Sequence, residues 1–440
     1  MAGNFGSQVI AWYGDLLDQY IDDAPDAVRW WLQLGFNLTE AKHRLLPDRN
    51  NHPSGQVATN ICLDTVTTAL NNFHEAALTS IFLPSEPFIA MGVRPVSAEA
   101  ISNFASGAHA ERGFAACAEQ TGIPETYCSY HKVLMGMASS GVLEKPRMLA
   151  SCSLACDANN LSFKALSQLW GIEHTYVDVP YDISEDSIAY VADELRELTV
   201  RAEDIFGRKA DKDMLQAAVA RSQNTLSHLA YGLPRRQGRL AASDMGNEMQ
   251  QALAVHLALG TPESEQMAQQ MAIDFAQAPA YKGLSLVWVH TAPFFSEPLQ
   301  QALNQNSQAQ IIASEMLFDQ VPLKDEGSFL HGPDTPFEAM AERLVRNSYN
   351  GSASRRAAHI LRLCEQTHAD GAVIFCHWGC KETAGAAQLI RHTLERAGFP
   401  ALVLDGDGCE RANNMEGQMS TRMSAFLEML KDQRMELAHG

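Results

Sequence analysis

One apolar run that closes on thiols constrains this chain more than any other feature. Gly371-Ala-Val-Ile-Phe-Cys376 reads as a buried strand, since a short continuous apolar stretch suits a strand covered on both faces. It ends in Cys376-His377-Trp378-Gly379-Cys380, and Lys381-Glu382 then open a helical stretch. Two soft sulfur ligands and an imidazole therefore sit where a strand meets a helix. In open parallel α/β sheets, ligands and cofactors collect at those carboxyl ends. Thiolates placed there select zinc, copper(I) or an iron–sulfur cluster.

The same alternation recurs along the chain. Arg147–Cys152 is a predicted strand, Asn160–Leu169 a helix and His174–Val179 the next strand. The gap of about 20 residues suits a βαβ crossover. A second lobe repeats the pattern, with strands at Gly283–His290, Ala309–Ala313, Gly371–Phe375 and Ala401–Asp405. Helices at Glu297–Leu303, Pro336–Arg346, Ser354–Thr367, Ala384–Ala397 and Gln418–Leu430 accompany them. Such alternation argues for parallel, doubly wound sheets.

Helical periodicity fills the rest. Ala11–Tyr20, Ala24–Leu46 and Leu63–Phe73 read as helices, with a Pro-containing loop at Pro47–Gly55. Ser184–Ala230 is helical with a break at Gly207, and after the Pro234–Gly238 loop helix continues to about Gln277. The expected organisation is an N-terminal helical region over 1–75, a first α/β domain with the candidate cysteines over 76–235, and a helical bridge plus second α/β domain over 236–440. The length of 440 residues agrees, being too great for one ordinary core.

Composition narrows the function. The formal charge of −19 argues against a nucleic-acid partner, which needs clustered Lys and Arg. No uncharged apolar stretch of about 18 residues is present, so no transmembrane helix is expected. The first residues lack a basic region followed by an apolar block, so no secretory signal is expected. A soluble cytoplasmic protein is the expectation.

Nine cysteines, an odd number, occur in this long chain, which argues against a disulfide framework. Cys62, Cys117 and Cys364 lie in amphipathic helical surroundings and read as small buried hydrophobes. The other six gather at predicted junctions. Cys128 precedes a helix-like stretch, Cys152 and Cys156 flank one strand end, Cys376 and Cys380 flank another, and Cys409 follows the turn Asp405-Gly-Asp-Gly408. If both sheets present these edges to one cleft, several thiolates converge, which suits a cluster. Three other readings stand beside it. Zinc is one, although C-x3-C is not its usual pair spacing. Structural thiols are another. A Cys380–His377 thiolate–imidazole pair at a helix N-terminus is the third. Phosphate-loop, dinucleotide-binding and nucleophile-elbow motifs are not found in a strand–helix context. His131, His174, His290 and His331 read as structural or surface residues.

At these residues the chain resembles the 2-hydroxyacyl-CoA dehydratase component D family, which includes benzoyl-CoA reductase subunits. The matching pieces begin with Leu83-Pro-Ser-Glu86, Gly92 and Pro95, then Cys128-Ser-Tyr130 and Gly136, Cys156-Asp157 and Lys164, and Gly171-Ile172 with Asp178-Val-Pro180. They continue through His377-Trp-Gly-Cys-Lys381, Asp405-Gly-Asp-Gly-Cys409, Gln418-Met-Ser-Thr-Arg422 and Ala425-Phe-Leu-Glu428. Their order and spacing carry the resemblance, from about Leu83 to Leu430.

The resemblance implies two flavodoxin-like α/β domains with a 4Fe-4S cluster between them, held by Cys128, Cys156 and Cys380. Cys376 is the alternate for Cys380, and Cys152 and Cys409 are extra thiols near the same rim. A larger 8Fe-9S double cubane ranks second. The implied function is elimination of water from a 2-hydroxyacyl-CoA through a ketyl radical, after one-electron reduction by a separate ATP-hydrolysing iron–sulfur activator. A homologous second subunit, or a homodimer, is implied as partner. The alternatives are an electron-relay or double-cubane protein reducing small molecules, and a benzoyl-CoA-reductase-like subunit. Ser129, His377 and Glu86 are the candidate catalytic residues, with Tyr130 a further polar candidate for the cleft.

Overall fold

Strands without a polar face must be covered on both sides, and helical crossovers between parallel strands do that. The structure, a computed structural model, describes residues 2–439, with side chains over 9–436; Met1 and Gly440, the outer bounds of the expected segments, lie outside the described residues. One sheet holds β1 (Ala77–Thr79), β2 (Pro95–Ser97), β3 (Met148–Cys152) and β4 (His174–Val177). The other holds β5 (Leu284–Val289), β6 (Ala309–Ser314), β7 (Gly371–His377) and β8 (Ala401–Gly406). Their spatial orders are β2-β1-β3-β4 and β6-β5-β7-β8, the same winding twice, and every pairing is parallel. β3, β5 and β6 are buried along their whole length. The fold is thus the expected α/β class with two doubly wound, flavodoxin-like sheets.

This strand order places the functional region. The winding reverses beside the first strand of each sheet, which opens a crevice at the carboxyl ends of β1 and β3, and again at those of β5 and β7. Loops and helix starts at those four strand ends are therefore where a ligand is accommodated.

β3 to β8 lie where the apolar runs place them. β1 and β2 carry no readable pattern, because three residues are too few for a period. β2 starts at Pro95, which has no N–H to give, and it tolerates this as an edge strand. The expected loop at 47–55 is shorter than its Pro and polar residues suggest. A helix starts at Pro53 rather than Leu63 and runs to Asn71. Pro53 in its first turn loses nothing by lacking an N–H. Ser54, Gly55, Ala58, Thr59, Ile61, Cys62 and Leu63 are all buried in it. A helix covered on most sides has no amphipathic stripe to read. It packs against helices Pro25–Leu45, Met245–Ala258 and Pro262–Gln277, so the N-terminal segment is fastened to the helical middle.

The largest apolar cluster runs from Leu17 and Leu32 through Val133 to Ile374 and Ile390, so both halves share one core. Among the described residues no helix is long and apolar enough to cross a membrane. The closest helix packing bears on the site. Helix Glu111–Gln120 presses on helix Ser129–Ser139 so tightly that a Cβ on Gly136 would lie 1.7 Å from the Phe114 carbonyl oxygen. Gly136→Ala is therefore expected to destabilise the chain by about 1–3 kcal/mol through overpacking. Gly385→Ala is the control: nothing lies within 4 Å of the added methyl, and in a helix it should be neutral or stabilising by about 0.5–1 kcal/mol. Urea unfolding of both variants beside the parent checks the pair.

Candidate functional site

Three cysteines occupy the same local position on three different helices. Cys128 is the N-cap of Ser129–Ser139, Cys156 of Asp157–Trp170 and Cys380 of Lys381–Arg396. Cys156 and Cys380 follow β3 and β7, the third strand of each sheet. A helix start carries partial positive charge and unpaired N–H groups, both of which favour an anionic sulfur. The Asn159 N–H already donates to the Cys156 sulfur at 3.2 Å. Gly379 brings the second sheet's loop against the Cys128 segment. Its φ is +78°, and a Cβ there would sit 2.6 Å from the Cys128 nitrogen.

The three sulfurs line one chamber of about 100 Å³ between the sheets. Ile81 and Phe82 enter from the end of β1, His290 and Thr291 from the end of β5, and Met249, Leu253 and Met316 complete an apolar wall. All four strand ends at the two crevices thus meet at one place. Among the described residues, no three His, Cys, Asp or Glu side chains gather closely enough to hold a single metal ion.

Each cysteine sulfur faces an imidazole Nε2: Cys128 faces His377 at 3.4 Å, Cys156 faces His131 at 3.6 Å, and Cys380 faces His290 at 3.6 Å. Burial dominates their ionisation. It pushes all three thiols up. It also pushes His131 down to about 3, His290 well below its usual range, and His377 down against the pull of Asp407. Thiolates are costly here without a cation among them, and a bound metal would supply that charge and release the protons.

The sequence candidates are distributed unevenly around this chamber. His377 and Tyr130 line it. The Tyr130 hydroxyl lies 2.7 Å from Thr291 Oγ1 and donates to the Gly408 carbonyl at 3.0 Å. Ser129 is buried outside the lining and donates to Asp407 Oδ1 at 2.6 Å. That same oxygen accepts the N–H groups of Cys409 and Glu410, so Ser129 fixes the loop after β8. Cys376, Cys152 and Cys409 also lie outside the lining. Cys376 packs half-buried near Asp405 and Arg422. The Cys152 sulfur lies 3.7 Å from Ser80 Oγ, and the Cys409 sulfur the same distance from the Ser102 carbonyl. Glu86 is elsewhere. Arg343 holds both its oxygens, at 2.6 and 2.9 Å, and Ser222 donates to it at 2.6 Å, tying three helices together.

Two carboxyl groups line the chamber: Glu382, which lies 3.6 Å from Arg356, and Glu99, neither of whose oxygens has a hydrogen-bond partner. Burial raises Glu99 to about 7. Nothing local in Ser97-Ala-Glu-Ala marks it. His131 and His290, read from the sequence as structural or surface residues, also line the chamber. A signal for both was present: His131 lies three residues beyond Cys128 on one helix face, and His290 ends a strand at the same sheet edge as His377.

Residues 80–430 match the 2-hydroxyglutaryl-CoA dehydratase D-component family, and the chain belongs to that family. It is 22% identical over 379 residues to the (R)-phenyllactyl-CoA dehydratase alpha subunit of Clostridium sporogenes, covering 79% of this chain and 87% of that protein. It is 24% identical over 394 residues to the lactoyl-CoA dehydratase subunit alpha of Anaerotignum propionicum, covering 79% and 89%. The resemblance read from scattered motifs is borne out over nearly the same span.

Glu99 yields a pH prediction. Its folded pKa is raised, so the stability of the protonated form is fully present below about pH 4.5 and is lost as pH rises through about 7. In the metal-free chain, Glu99→Gln should gain stability relative to the parent between pH 5 and pH 8, by on the order of a few kcal/mol. Urea midpoints across that range test it; a difference that stays flat with pH would contradict it.

Proposed function

We propose that this chain is the cluster-bearing subunit of a 2-hydroxyacyl-CoA dehydratase, a lyase that removes water from a 2-hydroxyacyl thioester. The carrying observation is the convergence of Cys128, Cys156 and Cys380, each a helix N-cap, on the paired crevices of two sheets in a chain of this family. The donor set fits a 4Fe-4S cluster: three soft sulfurs share one buried chamber, and three protein thiolates leave one iron position open. When bound, the cluster supplies a low-potential electron and a Lewis-acidic iron.

The chemistry explains why such a site is needed. The β-proton of a 2-hydroxyacyl thioester is not acidic enough for simple elimination. One electron added to the thioester carbonyl gives a ketyl radical, which expels the 2-hydroxyl and makes the β-proton acidic. The electron is recovered at the end, so the elimination is redox-neutral. In this reading an ATP-hydrolysing iron–sulfur activator delivers the electron, and a homologous partner subunit completes the enzyme, as the alpha-subunit names of the relatives suggest.

The chain's own residues would contribute as follows. The three helix starts offset the charge of the thiolates. Phe82, Leu253 and Met316 keep water from a reactive radical. Glu99, with a pKa near neutral, can hand a proton to the departing hydroxyl. Ser129 acts through Asp407, holding the loop that positions His377. Among the described residues no Lys or Arg lines the chamber, which favours an apolar acyl side chain over one ending in a carboxylate.

Anaerobic purification followed by iron and acid-labile sulfide analysis tests this reading. About four of each per chain are expected for one cubane, and about eight iron for a double cubane. Cys128→Ser, Cys156→Ser and Cys380→Ser should each lose the iron, while Cys62→Ser and Cys376→Ser keep it. Full iron retention in all three chamber variants would refute the assignment.

A further inference from the structure

The pairing of each chamber cysteine with its own histidine is more than packing requires. The three rings come from three separate places: helix Ser129–Ser139, the end of β5 and the end of β7. Each stops at a different sulfur, at 3.4 to 3.6 Å. His290 reaches its sulfur from a left-handed backbone, φ +75°, a conformation that a non-glycine residue holds only when its surroundings enforce it. Glu315 helps to enforce it by accepting the His290 N–H at 3.1 Å.

Hydrogen positions follow from the partners. The Gly408 N–H donates to His377 Nδ1 at 3.0 Å. In the neutral ring the remaining hydrogen then lies on Nε2, pointing at Cys128. Nδ1 of His131 and of His290 is buried without a partner. A thiolate that ligates metal has no hydrogen to give, so a contact between its sulfur and Nε2 persists only as N–H donation.

Resting on the cluster reading above, we propose that His131, His290 and His377 are positioning residues, each donating one N–H···S hydrogen bond to one ligand sulfur, and that together they set the reduction potential of the group these sulfurs hold. Such a bond strengthens as charge builds on sulfur, so it stabilises the reduced state and raises the potential. The set also opposes two carboxylates close by. Glu99 Oε1 lies 3.8 Å from His131 Nε2, and Asp407 Oδ1 lies 3.6 Å from His377 Nδ1.

The test is an EPR-monitored redox titration of the iron-loaded chain, purified anaerobically, in which His131 and His290 are replaced singly and together. His131→Leu and His290→Leu should each lower the midpoint potential, and the double variant should lower it further. His131→Gln and His290→Gln, which keep an N–H near the Nε2 position, should recover much of the shift. Potentials unchanged in the Leu variants overturn the proposal, as does an equal fall in the Gln and Leu variants. Metal content is read first: a parent chain without iron defeats the cluster reading itself, whereas a loaded parent with unresponsive potentials defeats only the hydrogen bonds. Pulsed EPR of the parent grown with 15N-labelled histidine needs no variant to fold. Weak nitrogen coupling, transmitted through N–H···S, is expected; no coupling, or the strong coupling of an imidazole bound directly to iron, overturns the proposal.

Discussion

Three thiols taken out of water in one chamber are the constraint around which the rest of this molecule is arranged. Burial alone makes them poor anions. The fold answers with three helix starts aimed at one point, each with a cysteine at its cap. Helix dipoles act only over a turn or so, so the helices must be held in place firmly. Gly136 lets one of them sit against the Phe114 carbonyl, and Gly379 lets the loop leading into another lie on the Cys128 backbone. Neither approach tolerates a side chain.

Around the sulfurs, polar side chains hold the lining from behind. Ser129 binds Asp407, Asp407 gathers the backbone of Cys409 and Glu410, and the Gly408 N–H orients His377. On the other side Arg356 clamps Glu315 at 2.6 and 2.8 Å, and Glu315 in turn takes the His290 N–H and the Tyr349 hydroxyl. These buried charges are paired and hydrogen-bonded, as buried charges need to be. Their residues stand well apart in sequence, so each network joins elements that the chain order separates. Glu86 and Arg343 do similar work further out. Glu86 belongs to a matching family motif, yet it ties helices together rather than facing the chamber.

The parts of the site that were legible share a local signature. Cys156 and Cys380 follow apolar runs and precede helices, which marks a sheet's carboxyl edge. Cys128 shares the N-cap position but follows no strand, and the family motifs singled it out. His131 and His290 carried a weaker mark, a place three residues beyond Cys128 and a strand end at the sheet edge of His377, and Glu99 carried none, because its importance arises from what stands opposite it. Ser129 and His377 stand out in the sequence alike as candidate catalytic residues, and only coordinates separate His377, which lines the chamber, from Ser129, which braces the loop behind it.

By itself, the sequence determined the α/β class, the six longer strands, most helices and the family. Those follow from short-range physics: apolar runs that must be covered on both faces, period-3.6 spacing, and turn residues such as Gly207 that end helices. It left β1, β2 and the early start of helix Pro53–Asn71 unreadable, since three residues show no period and an all-round buried helix shows no stripe. Tertiary structure alone decided that the crevices of two sheets share one chamber, that three of the six candidate thiols line it, and that each of the three meets its own imidazole. Sulfur–imidazole contacts of 3.4 to 3.6 Å span up to 249 residues of chain, and no local pattern encodes a meeting at that separation.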